Sequence, residues 1–353
     1  MTETIAVAMS GGVDSSAAAL LLQGEGKRLL GLTLRLFDSG GESEASADAA
    51  AMAAQLGFPH QTLDMRQEFQ AGVIEPFIAD YEKGRTPNPC VRCNRAVKFG
   101  ALLQRSVDLG CVSLATGHYA RVGYDAGSGR WLLRKAVRPE KDQSYVLSML
   151  TQYQLARTLL PLGGLSKAEV RALALEAGLI SAKKGDSQDI CFIPDGDYSA
   201  FIRRYTGKNY PAGPYLDENG AVLGQHTGIV DYTVGQRRGL GVSSNCGRLY
   251  VKEVSQPDNT VILSGNGSLF ARTLEASALN LIACDRLTDP VQLRAKIRYR
   301  MAEQPCTVWQ TGEDALRLTF DSPQRAITSG QTVVLYDGDT VVGGAVITRS
   351  VPD

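Results

Sequence analysis

Residues 5–15 constrain this chain more than any other stretch. An apolar run, 5–9, leads into Ser10-Gly11-Gly12-Val13-Asp14-Ser15, and an alanine-rich apolar stretch follows to residue 22. The pattern predicts a short buried strand, a glycine turn and a helix. That order brings backbone N–H groups and the positive end of a helix dipole to one point, which suits an anion. Gly11 and Gly12 have no Cβ, so phosphate oxygens can approach the main chain closely. Ser10 and Ser15 offer hydroxyl donors, and Asp14 offers a carboxylate for a Mg²⁺ that bridges phosphates. The loop holds no lysine, which excludes the G-x-x-x-x-G-K-[ST] phosphate loop.

The rest of the first half alternates in the same way. A strand is expected at 29–34, helices at 45–56, 67–81 (with a break at Pro76) and 96–109, and strands at 61–63 and 111–115. Ser166 and Glu169 form a capping box for a helix over 166–177. This succession predicts a doubly wound parallel α/β sheet. After about residue 205 helical periodicity fades. Strands are expected at 250–254, 260–264, 293–300, 315–320, 332–336 and 341–347. With 353 residues, two or three domains are expected. We place a catalytic domain at 1–205, a small mixed β domain at 206–275 and a C-terminal β-barrel at 276–353. The polar, glycine-rich stretch 38–46 reads as a mobile loop. No signal-peptide pattern or membrane-length apolar run occurs, so a cytoplasmic location is expected.

Cysteines carry the second signal. Thr86-Pro87-Asn88-Pro89-Cys90-Val91-Arg92-Cys93-Asn94 has a C-x-x-C spacing, and its prolines argue for a rigid loop. Arg92 and Arg95 are expected to favour thiolate. Cys191, in Ser187-Gln188-Asp189-Ile190-Cys191-Phe192-Ile193, reads as a strand-end cysteine brought near that pair. Three readings stay open. Structural zinc lacks a second ligand pair. Sulfur transfer through persulfide and disulfide intermediates fits Cys93 with Cys191. Cys90, Cys93 and Cys191 are also a ligand set for an iron–sulfur cluster with one open iron.

The glycine loop resembles that of the N-type (PP-loop) ATP pyrophosphatases. The whole chain resembles the bacterial tRNA-specific 2-thiouridylases. The resemblance rests on Ala8-Met9-Ser10-Gly11-Gly12-Val13-Asp14-Ser15, Gly84 to Pro89, Cys93-Asn94 with Lys98-Phe99, and Ala115-Thr116-Gly117-His118-Tyr119-Ala120. It continues through Lys141-Asp142-Gln143-Ser144-Tyr145, the Cys191 segment, residues 232–241, Arg298-Tyr299-Arg300 and Ser329-Gly330-Gln331. It implies that Ala8, Met9, Ser10, Gly11, Gly12, Val13, Asp14, Ser15, Leu34 and Gly117 bind ATP, with Mg²⁺. Cys93 would be the catalytic nucleophile and Cys191 the persulfide carrier. Asn88, Pro89 and Cys90 would meet the target base. His118, Lys141, Asp142, Gln143, Tyr299, Arg300 and Gln331 would touch tRNA. A sulfur donor is implied as well: a cysteine desulfurase, a relay protein or sulfide. Cys90 departs from the aspartate of the best-known members; cysteine is a poor carboxylate substitute but a good third soft ligand.

Net charge is zero, with 37 basic and 37 acidic residues, so any RNA contact needs local patches. Arg294, Lys296, Arg298 and Arg300 alternate with apolar residues, which on one strand makes a cationic stripe. Arg134, Lys135, Arg138 and Lys141 form a second cluster, and Arg237-Arg238 a third. Two other classes fit fewer of these features. An amidating or ligating ATP pyrophosphatase would not need the cysteines, and a non-catalytic RNA-binding protein would not need Asp14.

Overall fold

The computed structural model describes residues 3–37, 44–180, 190–242 and 247–351. Of the expected loop at 38–46, residues 38–43 lie outside the described residues, as do Ser187 to Asp189 and Cys246, while 44–46 belong to a helix. Strands β1 (Thr4–Ala8), β2 (Arg28–Arg35), β3 (His60–Asp64) and β4 (Cys111–Ala115) alternate with helices. So do α1 (Val13–Gly24) and α2 (Glu44–Leu56), which flank β2. A hairpin, β5 (Ala120–Asp125) with β6 (Arg130–Lys135), precedes the short β7 (Thr158–Leu159). The first sheet has the order β3-β2-β1-β4-β7, and its strand pairs are parallel. The order in which strands are added therefore switches from one side of β1 to the other at β4, which opens a crevice at the carboxyl ends of β1 and β4. Strand β1 is covered on both faces: Ile5, Ala6 and Val7 are all buried. Its run is accordingly apolar throughout instead of alternating. Helix α1 packs its side with Val13, Ala17, Ala18 and Leu22 against that sheet. Each large side chain removed from water there contributes about 1.5–3 kcal/mol.

The expected helix at 67–81 is present, but its middle is π-helical. Residues Gln70–Ile74 form one π run, and Glu75–Glu82 resumes the α-helix with Pro76 in its first turn. The expectation of a loop under the first cysteines needs correction. Asn88 is the N-cap of a helix that begins at Pro89, and its Oδ1 accepts from Val91 N–H at 3.2 Å. Proline at the first helical position loses no hydrogen bond and arrives with its φ already set. Cys90 is thus helical, and Cys93 opens a π-helical run, Cys93–Leu102.

A mixed four-stranded sheet, β8 (Gly213–Leu216), β9 (Val222–His226), β10 (Tyr250–Ser255) and β11 (Thr260–Ser264), has the order β10-β11-β8-β9. The C-terminal strands are β12 (Phe270–Leu281), β13 (Val291–Lys296), β14 (Gln304–Gln310), β15 (Leu316–Arg325), β16 (Thr332–Asp337) and β17 (Thr340–Val351). Pairing of β12 with both β15 and β17 closes these six into a barrel. The fold is therefore the expected parallel α/β sheet, small mixed β unit and β-barrel. The β5–β6 hairpin was not foreseen, and it joins the barrel's sheet through β6 beside β17.

The cationic stripe is also corrected. Strand β13 ends at Lys296, and residues 297–300 turn away. Arg298 points inward and donates to the carbonyls of Arg325 and Ala326. Arg294 is paired with Glu303. In the second basic cluster, Lys135 is held by Glu303 at 2.6 Å and Gly338 O at 2.7 Å.

Candidate functional site at the sheet's switch point

The Ser10–Ser15 loop leaves the carboxyl end of β1 at the crevice. Gly11 holds φ +70°, and a Cβ there would lie 2.7 Å from Ala45 O of α2. Gly12 is the N-cap of α1 and makes no side-chain cap, so the first N–H groups of α1 remain available to an outside acceptor. Ser15 does not supply a free hydroxyl. It is buried, donates to Gly12 O at 3.1 Å and accepts from Ser10 N–H at 3.2 Å. Its role is to hold the turn, while Ser10 stays exposed.

Asp14 shows a feature that local sequence does not. Lys167 Nζ lies 2.8 Å from both of its carboxylate oxygens, and Tyr119 Oη donates to Oδ1 at 2.7 Å. Lys167 is the first residue of the helix Lys167–Glu176, placed by the Ser166–Glu169 capping box. The loop without a lysine in sequence therefore has one in space, from 153 residues downstream. Beside it, a Cβ at Gly117 would fall 2.7 Å from the Asp14 carbonyl carbon and 2.8 Å from Ser15 N. The end of β4 thus presses directly on the loop, as the crevice topology requires. Leu34, near the end of β2, packs on the adjoining core.

His118 follows Gly117 and faces the other way. It is buried, its Nδ1 is 2.7 Å from Thr116 Oγ1, and its ring lies 5.9 Å from Phe99. Burial, then the nearby Lys98 charge, hold its pKa well below the ordinary value, so it is neutral at pH 7. Lys98 also acts electrostatically on Cys90, Cys93 and Cys191. One half-buried cation therefore faces all three thiols. Cys191 also senses Cys93 and Cys90, so the two cysteine segments meet as expected. Cys191 sits in a turn, however, and not at a strand end. Phe192 and Ile193 anchor that turn: the Phe192 ring packs edge-on against Phe69 and Phe77 at 5.6 and 5.4 Å.

Cys90 and Cys191 are solvent-accessible, yet burial is the largest influence on both, as on the half-buried Cys93. Solvent reaches them, yet protein packed around them dominates their electrostatics. All three thiols are pushed above their ordinary range, Cys191 to about 11. The expectation that arginines favour thiolate fails because Arg92 turns to Asp80 at 3.2 Å, alongside Arg85 at 3.3 Å. The six described cysteines are free thiols, with no Cys93–Cys191 disulfide. Among the described residues no three His, Cys, Asp or Glu side chains are arranged to hold a metal ion. In this arrangement the three thiols are not set to ligate an iron–sulfur cluster.

The remaining expected RNA contacts divide. Tyr299 and Arg300 are exposed, Tyr299 senses the charge of Cys90, and its ring lies 5.9 Å from Tyr145. Asp142 instead accepts from Ala136 N–H and from the Ser144 N–H and hydroxyl. Gln143 Oε1 accepts from Tyr119 N–H at 2.9 Å. Lys141 is half-buried at the end of the turn Pro139–Lys141. Gln331 donates to the Thr86 and Pro87 carbonyls. Lys98, Tyr119 and Tyr145 were visible in the motifs without a role, and Lys167 had no local signal beyond its capping box.

Three family models match in order: tRNA methyl transferase HUP domain over 3–195, tRNA methyl transferase PRC-barrel domain over 199–265, and aminomethyltransferase beta-barrel domain over 271–347. A tRNA-specific 2-thiouridylase MnmA of Clostridioides difficile is 42% identical, covering 99% of both chains. A tRNA-specific 2-thiouridylase MnmA 2 of Thermoanaerobacter sp. is 46% identical over 98% of both. A solved U34-tRNA thiolase NcsA of Methanococcus maripaludis is 17% identical with TM-score 0.37, covering 58% of this chain and 66% of that one. With near-complete coverage at over 40% identity, the chain belongs to the tRNA-specific 2-thiouridylase family.

Proposed function

We propose that this chain is an ATP-dependent sulfurtransferase that places sulfur on C2 of the wobble uridine of tRNA. The observation that carries the reading is the end of β4, where Gly117 presses on the Ser10–Ser15 loop and the next residue, His118, meets the Lys98 charge that also acts on the three thiols. Activation and sulfur delivery are thus set side by side. The relatives, named as thiouridylases over nearly their whole length, weigh more than the methyl-transferase wording of the shorter family models.

The uracil C2 oxygen is a poor leaving group until it is adenylated. The Gly11–Gly12 turn and the N-terminus of α1 would receive the phosphates, and Lys167 would offset their charge. Asp14, whose side chain is 33% exposed, is the hard oxygen ligand suited to Mg²⁺, which when bound would neutralise departing pyrophosphate. Exposed Tyr299 beside Cys90 offers a stacking face for a base drawn out of the anticodon. The terminal sulfur of a Cys191 persulfide then attacks C2, and AMP leaves with the oxygen. Cys93 attacks Cys191 Sγ, the bond to the transferred sulfur breaks, and 2-thiouridine is released. The Cys93–Cys191 disulfide formed is returned to two thiols by a dithiol reductant. His118, buried and neutral, leaves Lys98 as the cation acting on the thiols.

The test follows 2-thiouridine by mass spectrometry and pyrophosphate release in parallel, with tRNA, ATP and a persulfide donor. Cys93→Ser and Cys191→Ser should release pyrophosphate but make no 2-thiouridine, and Asp14→Ala should do neither. Normal 2-thiouridine from Cys191→Ser would remove the persulfide route.

A further inference from the structure

The C-terminal barrel grips the cysteine helix through one short turn. Thr86 N–H donates to Ser329 O at 2.8 Å. Gln331 Nε2 donates to Thr86 O at 3.0 Å, with Pro87 O at 3.4 Å. Between them Gly330 holds φ +89°, and a Cβ there would lie 3.0 Å from both the nitrogen and the oxygen of Thr86. The next barrel residue, Thr332, accepts from Tyr145 Oη at 2.7 Å. The Asn88 side chain, at the N-cap of the helix that carries Cys90, acts electrostatically on the same Tyr145 hydroxyl. On the opposite side, a Cβ at Gly84 would fall 2.5 Å from Val254 O of the central sheet.

Residues 85–88 have no regular secondary structure, so their polar backbone groups must find partners elsewhere. The barrel provides them at Thr86 and Pro87. Pro87 and Pro89 have fixed φ, so the stretch is stiff, and a shift at Thr86 is passed to Cys90 with little loss. The same barrel carries Tyr299 and Arg300.

We propose that the Ser329–Gln331 turn is a latch by which the C-terminal barrel sets the position of the cysteine helix, with Gln331 a positioning residue acting through Thr86 and Pro87. RNA seated on the barrel and the thiols that would act on its base are then held in one frame. The catalytic consequence rests on the sulfur-transfer reading, whereas the latch itself can be measured without substrate.

Hydrogen–deuterium exchange on the full chain, without substrate, compares wild type with Gln331→Ala and Gly330→Ala. Both variants should exchange at least tenfold faster across 84–93, with β1 and β4 unchanged. Gly330→Ala adds a methyl group and removes nothing that could touch RNA, so it separates a latch from a direct contact. In thiolation assays both should lower kcat at least tenfold and leave the KM for tRNA within twofold. Unchanged exchange across 84–93 overturns the latch. A raised KM with normal kcat, confined to Gln331→Ala, also overturns it and assigns Gln331 to RNA. Faster exchange in both variants, with a wild type that makes no 2-thiouridine, upholds the latch and removes the sulfur-transfer reading. Should Gly330→Ala fail to fold, the exchange of Gln331→Ala decides.

Discussion

Gly117→Ala perturbs the site by a single methyl group. Three neighbours would crowd the new Cβ: the Asp14 carbonyl carbon at 2.7 Å, Ser15 N at 2.8 Å and Asp14 Cβ at 2.9 Å. Two of these are backbone atoms of the Ser10–Ser15 loop, so no side-chain rotation relieves the overlap. Reaching ordinary contact near 3.4 Å requires a relative shift of roughly 0.7 Å. Overpacking of this kind costs about 1–3 kcal/mol in stability. The functional loss is larger, because the loop that yields also sets Asp14, and a misplacement near 1 Å can cost about 100-fold in rate. Gly164→Ala is the control, since nothing lies within 4 Å of its added Cβ. The assay is the initial rate of tRNA-dependent pyrophosphate release at saturating ATP, with thermal melting in parallel. Gly117→Ala should fall about 100-fold and melt a few degrees lower, with Gly164→Ala like wild type. A wild-type rate from Gly117→Ala would refute the argument that β4 braces the loop.

Lys167→Met keeps the length of the side chain and removes its charge. The Lys167–Asp14 pair is intermediate in burial, 14% and 33% exposed, so its loss should cost about 1–3 kcal/mol. ATP affinity measured calorimetrically should drop at least tenfold, and unchanged affinity would remove Lys167 from the nucleotide site. Cys191, held up to about 11 from 9.0 chiefly by burial, keeps its proton to higher pH than an ordinary thiol. At pH 8 its thiolate fraction should be about 100-fold lower, so iodoacetamide labelling should be slow and accelerate as pH rises toward 11. Labelling at pH 8 as fast as a free cysteine would contradict the recessed placement.

The Ser10–Ser15 turn between β1 and α1 could be read from residues 5–22 because strand, turn and helix there are contiguous, and each piece has its own local signature. Lys167 could not, since its partner is 153 residues away and only the chain's path around β4 joins them. The cysteine segment departs from expectation for a local reason: proline reads as a breaker, but at Pro89 the Asn88 cap makes it a helix start. Alternation foretells the buried face of β13, with Leu293 and Ala295 inside, but carries no information on where the strand stops. Arg298 consequently turned from an RNA contact into a support for the carbonyls at 325 and 326. The β5–β6 hairpin did have a signal, the Asp125-Ala126-Gly127-Ser128-Gly129 turn, which the helix-strand alternation around it obscured.

That hairpin makes the molecule harder to divide than its succession of units suggests. Lys135 N–H donates to Asp339 O at 2.8 Å, and Arg130 donates to Ile282 O at 2.8 Å. A polypeptide ending near residue 265 would strip β6 of these partners and expose an open strand edge, a template for self-association. The barrel is therefore a closing piece of the α/β half and not a detachable appendage. Grafting it from another family member would demand a matched hairpin, so the two segments are expected to change together over evolutionary time.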